Sequence, residues 1–241
     1  MVLSFVVGKR TQENANLLVK RVHHISDGHI PFFTSDQLAA YPTALLQTYG
    51  EWIQPERKGN RGKHPKPRRV IPETLRYAQV VKERENGRVV DVSYRVVYGQ
   101  EQDIEEYLKQ SPVSQTINTS FVERDNLALR QSNRRLTRKT NGFSKEITGL
   151  EKQLWVSLAY YHFVLPHYSL RTPLAEPIPT RGAGSQKRWQ AVTPVMAAGL
   201  TDHIWSTSEL LSYRVPVEFL DTLNQLETLF PLWGQATHND N

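Results

Sequence analysis

The first fifty residues contain two apolar runs of strand length, and between them lies a segment whose apolar residues recur at helical spacing. Residues 2–7 form a nearly unbroken apolar run, which is typical of a buried strand covered on both faces. Residues 30–34 are typical of a second, shorter strand. Between them Thr11 can cap a helix with one apolar stripe, formed by Ala15, Leu18, Val19, Val22 and Ile25. The pattern predicts a helix that packs on a sheet.

Asp36 follows the second predicted strand, and its local sequence allows two interpretations. It can be a reactive group that emerges where a strand ends. It can also cap a helix that begins near Gln37 and runs toward Gly50. Aspartate is common at helix N-caps, so the local sequence by itself favours the cap.

Residues 75–98 carry a strong β-hairpin signal. Asn86-Gly87 lies between β-rich flanks, and such a pair favours a two-residue turn. The apolar members of the second flank alternate with polar residues and are Val90, Val92, Tyr94, Val96 and Tyr98. We expect the apolar face to join the sheet or to cover the edge of an active site. A short acidic helix is predicted over 102–110.

Residues 56–69 are strongly cationic and interrupted by glycine and proline, which predicts a mobile loop without regular structure. This basic segment is either a solvated linker or a site of phosphate contact. Its cationic residues are Arg57, Lys58, Arg61, Lys63, Lys66, Arg68 and Arg69.

A predicted helix over 119–130 places an acid among cations. At ~3.6 residues per turn, positions 123, 126, 127, 130 and 134 share one face, so Glu123 and Arg130 project together with Arg134. Further cations follow at Arg135, Arg138 and Lys139. The spacing leaves two interpretations open: a metal ligand held against DNA phosphates, or a solvated basic helix with one incidental acid.

The remainder of the chain predicts one core helix and an irregular extension. Apolar residues recur at spacings of three and four from Ile147 to Leu165, and we interpret His162 and His167 as packing or surface histidines. From Pro166 onward, prolines and glycines break any long element and the segment remains basic. Residues 193–211 can be interpreted either as a helix-turn-helix or as an accessory segment that packs on the rest of the protein.

The charge balance favours a polyanionic partner. The formal net charge is +6 and the pI is about 9.5, which makes nucleic acid the natural candidate. The absence of cysteine excludes disulfides and thiolate zinc fingers. The apolar N-terminal run is too short to span a bilayer or to serve as a signal sequence. We therefore expect a cytoplasmic protein that associates with the nucleoid when it binds DNA, and no membrane partner.

Four segments in this order resemble the DDE-type transposases of bacterial insertion sequences. They are residues 7–15, residues 32–36, the glutamate helix running into 136–144, and residues 193–201. The resemblance covers most of the chain and implies an α/β fold: an RNase H-like mixed sheet flanked by helices. It implies a catalytic domain over 1–165, with an insertion over about 51–115 that holds the basic segment and the hairpin. Residues 166–241 are expected to form a basic Pro/Gly-rich linker and a helical C-terminal extension.

The resemblance also implies an activity and its residues. Asp36 falls where these transposases have the second of three acidic ligands, and Glu123 falls where they have the third. Arg130 matches a basic residue two turns after that glutamate and is expected to hold DNA. The implied cofactor is Mg²⁺ or Mn²⁺ in a two-metal site. The implied reaction is DNA strand cleavage and strand transfer at the ends of a mobile element, with terminal repeats and target DNA as double-stranded partners.

The chain departs from the family at its start. The family's first aspartate lies on a strand before the position of Val2, where this chain has no residues, and neither Glu13 nor Asp27 replaces it. We therefore expect an N-terminally truncated catalytic domain that lacks its first strands, with an incomplete triad. Such a chain should be poorly soluble, or should require self-association or an upstream-encoded N-terminal portion supplied in trans.

Three functional hypotheses remain open. The first is a transposase product that is inactive by itself, favoured if the upstream reading frame encodes a strand with an aspartate. The second is a nonenzymatic DNA-binding remnant that competes with intact transposase, favoured by repeat binding without metal-dependent nicking. The third is a sequence-specific regulator that uses residues 193–211, and it requires specific binding to survive deletion of residues 1–165.

Overall fold

The computed structural model describes residues 1–26, 28–57, 64–137, 141–180, 182, 184–214 and 216. The chain divides into two compact units. The first unit is Leu3–Leu127, and the second joins Met1–Val2 to the chain from Ala128 onward. The division falls at Leu127/Ala128. The domain boundary after residue 165, which the family resemblance implies, stays a prediction.

The first helix, α1 (Gln12–Ile25), begins where the sequence predicts. The Thr11 hydroxyl accepts a hydrogen bond from the backbone N–H of Asn14, which satisfies one of the donors that a helix start leaves open. Ala15 and Val19, from the predicted apolar stripe, are buried. Ile25 at the end of the stripe is exposed.

The strand predicted over residues 2–7 is wrong, because this segment has no regular structure. Its apolar side chains are half-buried or exposed rather than covered on two faces. The carbonyl of Phe5 accepts a hydrogen bond of 2.7 Å from the guanidinium of Arg21 on α1. A continuous apolar run was therefore not sufficient to predict a strand, since it does not specify a neighbouring strand to pair with.

Among the described residues of the first unit, the larger sheet has three strands of mixed direction. The strand β1 (Phe33–Ser35) is followed by the helix α2 (Ala40–Tyr49) and by an antiparallel pair, β2 (Glu51–Ile53) with β3 (Arg68–Val70). The main hairpin is β4 (Tyr77–Glu85) with β5 (Arg88–Tyr98). β1 pairs with β4 in parallel, so the strand order is β1, β4, β5.

The hairpin turn confirms the Asn86-Gly87 prediction. Both residues have positive φ, 49° at Asn86 and 80° at Gly87, as a type I′ turn requires. Gly87 has open space where a Cβ would lie, so backbone conformation rather than crowding favours glycine there.

The core of the first unit lies where α1 and α2 meet the three-stranded sheet. α1 and α2 pack on each other, and residues just before and within β4 complete the cluster. The fully or nearly fully buried members are Ala15, Val19, Ala44, Leu45, Tyr49, Leu75 and Tyr77.

A polar network crosses the sheet beside this core. The Ser35 hydroxyl bonds the Tyr77 hydroxyl at 2.8 Å, and the Gln79 amide donates to the same hydroxyl at 2.8 Å. The Arg95 guanidinium donates to Gln79 at 2.6 Å. These side chains link all three strands.

Two further helices follow the hairpin. They are α3 (Glu101–Gln110), which confirms the predicted acidic helix, and α4 (Ser120–Ser132), which carries Glu123. In the second unit, α5 (Ile147–Phe163) buries Leu154 and Leu158 as predicted, although Ile147 is exposed. His162 is buried and its Nε2 accepts from the backbone N–H of Val2 at 3.1 Å, in agreement with a packing role.

The segment after Pro166 is more regular than expected. β6 (Thr172–Ile178) and β7 (Lys187–Gln190) pair antiparallel despite two prolines in β6. The helix-turn-helix interpretation of residues 193–211 is not supported, because α6 (Pro194–Ala197) has four residues and α7 (Thr207–Ser212) has six. A helix-turn-helix joins two longer helices by a turn of three or four residues, whereas here residues 198–206 separate them.

The described part of the chain is thus a mixed α/β fold with a mixed sheet and flanking helices. Within these residues, no helix is both long enough and apolar enough to cross a membrane.

Leu75 provides a test of this core, because its side chain is completely buried in the cluster. We expect Leu75→Ala to lower the free energy of unfolding by about 2–5 kcal/mol, through lost apolar burial and the cavity that remains. Urea titration followed by circular dichroism measures the change. Leu127→Ala is the matched control, since Leu127 is 53% exposed and should change stability little. Equal effects of the two substitutions would contradict this core assignment.

Candidate functional site

Glu123 lies in the first turn of α4, and its carboxylate is held by two donors. The Thr119 hydroxyl, one turn earlier in the chain, donates to Oε1 at 2.8 Å. The Lys82 ammonium on β4 forms an ion pair with the same oxygen. The Glu123 side chain remains 58% exposed, so solvent reaches the pair. α4 is thereby attached to the hairpin through a charged contact on one side of the sheet.

These two donors lower the pKa of Glu123 below its ordinary value. The hydrogen bond from Lys82 is the largest cause and that from Thr119 the second, with a smaller contribution from the charge of Arg84. The ionised carboxylate is therefore favoured in the folded protein. Its contribution to stability is present above the ordinary glutamate pKa and is lost as the pH falls through the lowered value.

Asp36 is exposed directly after β1, and its side chain has a local partner. Oδ1 accepts from the backbone N–H of Leu38 at 3.3 Å, while the Asp36 carbonyl accepts from the Ser35 hydroxyl at 2.6 Å. α2 starts at Ala40, later than the predicted start near Gln37, and its N-cap Ala39 offers no side-chain bond. Asp36 therefore stabilises the turn that leads to the helix, and it does not occupy the N-cap position.

The segments that carry the two acids are connected by one hydrogen bond. The Thr34 hydroxyl on β1, two residues before Asp36, donates to the carbonyl of Asn118 at 3.3 Å. Asn118 lies just before α4. Since Thr34 pairs with Ala78, the alternation along β4 puts Lys82 on the same face of the sheet as Thr34. The start of α4 thus lies on the face of the sheet that presents Lys82.

The carboxylates of Asp36 and Glu123 nevertheless interact with different neighbouring side chains. Burial raises the pKa of Tyr41, and the negative charge of Asp36 raises it further. Burial is also the main cause that raises the pKa of Tyr77, with a smaller contribution from Asp36. Tyr77 lies on the opposite face of β4 from Lys82, because their positions along the strand differ by an odd number. The negative charge of Asp36 therefore contributes to the raised pKa of Tyr77, whereas the charge of Glu123 is paired with that of Lys82.

The described residues do not form a complete metal centre. No group of three or more His, Cys, Asp or Glu side chains that could hold a metal ion is found among them. Asp36 and Glu123 supply only two carboxylates, and the Glu123 carboxylate already has an ammonium partner, Lys82. The described residues therefore do not by themselves complete the two-metal site that the family resemblance implies, and no reaction step is assigned to a metal ion here.

The helix that carries Glu123, α4, ends before the last residues of its predicted cationic face. Arg130 is exposed in its last turn, but α4 ends at Ser132. Arg134 and Arg135 lie in a separate 3-10 turn, capped by Asn133, whose side chain accepts from the N–H of Arg135 at 3.1 Å. The prediction that position 134 continues the helical face is therefore wrong. Arg134 and Arg135 are exposed, whereas Arg138 and Lys139 lie outside the described residues.

The basic segment has regular structure at one end. Arg68 and Arg69 belong to β3, which contradicts the prediction of a loop over the whole of 56–69, because β3 has β2 as a strand to pair with. The Arg69 guanidinium lies 5.2 Å from the ring centre of Trp52 on β2. Arg57 is exposed. Lys58, Arg61 and Lys63 lie outside the described residues.

The second unit contains a cluster of cationic and aromatic side chains that the sequence pattern did not predict. The Arg171 guanidinium lies 3.6 Å from the ring centre of Tyr168 and 4.2 Å from that of Trp189. Both distances suit cation–π contact. The spacing of Tyr168 and Arg171 was visible in the sequence, but Trp189 joins them only because β7 pairs with β6.

Comparisons of the chain with family models, with curated proteins and with solved structures found no match.

The Lys82–Glu123 ion pair can be tested by titration. We expect Lys82→Met to raise the pKa of Glu123 toward its ordinary value, because the principal cause of the lowering is removed. NMR of the ¹³C-labelled side-chain carboxyl group, followed against pH, measures this pKa directly. Lys109→Met on α3 is the control, since it removes an exposed lysine from another helix. An unchanged Glu123 titration in Lys82→Met would show that the pair does not form in solution.

Proposed function

We propose that this chain is a protein of the DDE-type transposase family, with an RNase H-like domain, and that it binds double-stranded DNA of an insertion sequence. The observation that carries the proposal is the link between β1 and the segment before α4. An acid directly after a strand, and a second acid on a later helix attached to the same strand, is the arrangement that the family resemblance implies. The parallel pairing of β1 with β4 supports it further, since RNase H-like sheets are mixed.

The distribution of charge supports a polyanionic partner. The whole chain carries a formal net charge of +6. Exposed arginines extend from the last turn of α4 into the following 3-10 turn and comprise Arg130, Arg134 and Arg135. Arginine offers a planar set of donors that match phosphate oxygens. We propose this arginine segment as the principal DNA contact, with the basic segment as a second one.

The activity proposed for the chain by itself is binding without strand cleavage. Asp36 and Glu123 are the residues that would hold Mg²⁺ or Mn²⁺, which prefer oxygen ligands. Among the described residues they have no third acidic partner in a common group. Metal-dependent cleavage is therefore proposed only for an assembly in which a further acid joins these two.

A second candidate is a nonenzymatic DNA-binding protein that competes with intact transposase at the terminal repeats. The ion pair between Lys82 and Glu123 favours this candidate, because an ammonium group occupies the carboxylate that a metal would need. The two candidates differ in one measurement. The measurement is made with the chain together with the upstream-encoded N-terminal portion, which would supply the further acid. Nicking of repeat DNA by this assembly with Mg²⁺ or Mn²⁺, abolished by Glu123→Gln, would select the enzyme, and binding by the assembly without nicking would select the competitor.

DNA binding can be measured by fluorescence anisotropy with a labelled duplex across a series of salt concentrations. We expect Arg130→Gln to weaken binding and to reduce the slope of log affinity against log salt by about one, because one phosphate contact is lost. Lys109→Gln is the matched control, since it removes the same charge from an exposed position on α3. It should leave the slope nearly unchanged.

Two results would contradict the proposal. One is a chain that does not bind duplex DNA at low salt. The other is an equal effect of Arg130→Gln and Lys109→Gln, which would mean that net charge alone governs the interaction.

A further inference from the structure

Among the residues that the structure describes, the outer strand of the hairpin has no second neighbouring strand, and it carries exposed apolar side chains. β5 is the terminal strand in the order β1, β4, β5. Residues 88–95 are exposed along its length, and Val90, Val92 and Tyr94 are 54%, 58% and 48% exposed. A strand edge presents unpaired N–H and C=O groups that can bond to another strand. The edge of β5 is therefore suited to strand addition.

The sequence of β5 is nearly symmetric about Ser93 in its chemical character. Moving outward in both directions, the first neighbours are Val92 and Tyr94, which are apolar. The second neighbours are Asp91 and Arg95, which have opposite charge. The third neighbours, at positions 90 and 96, are both valine, as are the fourth, at 89 and 97. In an antiparallel pair of two identical strands centred on Ser93, each residue would thus lie opposite a complementary one.

The charges within the hairpin make a second copy the fitting occupant of this edge. Asp91 lies opposite Glu83 on β4, so two like charges face each other across the hairpin. Arg95 lies opposite Gln79 and donates one hydrogen bond to it, which uses one of the five guanidinium donors. A partner strand centred on Ser93 would bring the partner's Arg95 beside Asp91, twice by symmetry.

Other registers of the same strand are less favourable. Centring on Asp91 or on Arg95 would place two like charges directly opposite each other. Centring on Val92 or on Tyr94 would oppose Asp91 to a serine or to a valine. A shift by one residue would turn the apolar side chains of one strand against the polar side chains of the other. The register centred on Ser93 pairs acid with base and apolar with apolar.

We propose that two copies of this chain associate through antiparallel pairing of their β5 strands, with Ser93 on the two-fold axis. The pairing doubles the three-stranded sheet and brings Val92 of each copy beside Tyr94 of the other on one face of it. It does not depend on the proposed DNA binding, because the residues involved are on the hairpin edge and not in the arginine segment.

A single introduced cysteine tests the register, since the natural chain has none. Residues directly opposite in an antiparallel pair have Cα atoms about 4.5–5.5 Å apart, which lies within the range that a disulfide bridges. We expect the full chain carrying Ser93→Cys to form a covalent dimer on mild oxidation, measured by non-reducing gel electrophoresis. Val89→Cys is the control, because the two copies of position 89 would be about 27 Å apart at the rise of an extended strand. Cross-linking of Val89→Cys equal to that of Ser93→Cys, or none of Ser93→Cys, would overturn the proposal.

A charge change on the Ser93→Cys background tests the pairing of Asp91. We expect Asp91→Arg to reduce the rate of cross-linking about tenfold, because the new arginine would face the partner's Arg95 at two symmetric positions. The fold should tolerate it, since an arginine opposite Glu83 replaces a like-charge pair within the hairpin; circular dichroism checks this. Glu106→Arg on α3 introduces the same change of charge at an exposed site and should leave the rate unchanged. An equal rate in the two variants would exclude the ion pair and overturn the proposed register.

Discussion

The parallel pairing of β1 with β4 is the interaction on which the first unit depends. β1 has only three residues, and its register with Tyr77, Ala78 and Gln79 joins the segment after α1 to the hairpin. The core is formed where α1, α2 and the start of β4 meet. The same pairing determines where β1 ends, and therefore where Asp36 emerges. It also orients the Thr34 hydroxyl toward the segment that precedes α4.

Side chains reinforce this pairing across the sheet. The network from Ser35 through Tyr77 and Gln79 to Arg95 satisfies polar groups that are buried beside the core. Buried polar groups without partners are costly, so the network favours one register of the three strands over shifted ones. The Lys82–Glu123 ion pair is exposed and contributes less to stability, but it determines what the carboxylate of Glu123 contacts.

Local sequence predicted the elements whose signals are local. The Thr11 cap and its apolar stripe predicted α1, and Asn86-Gly87 predicted the hairpin, because capping and turn geometry depend on adjacent residues. The apolar run of residues 2–7 predicted a strand that does not exist, since a strand needs a partner elsewhere in the chain. For the same reason β3 and the β6–β7 pair were not predicted.

The sequence by itself determined the charge, the absence of cysteine, and the order of the hairpin, α3 and α4 in the middle of the chain. It also identified the two acids and the arginine segment as candidates. Only the tertiary structure decided that Glu123 is paired with Lys82, that Arg134 leaves the helical face, and that Arg171 contacts two aromatic rings. Contacts between residues far apart in the chain arise from strand pairing and packing, which the spacing of residues along the sequence does not encode.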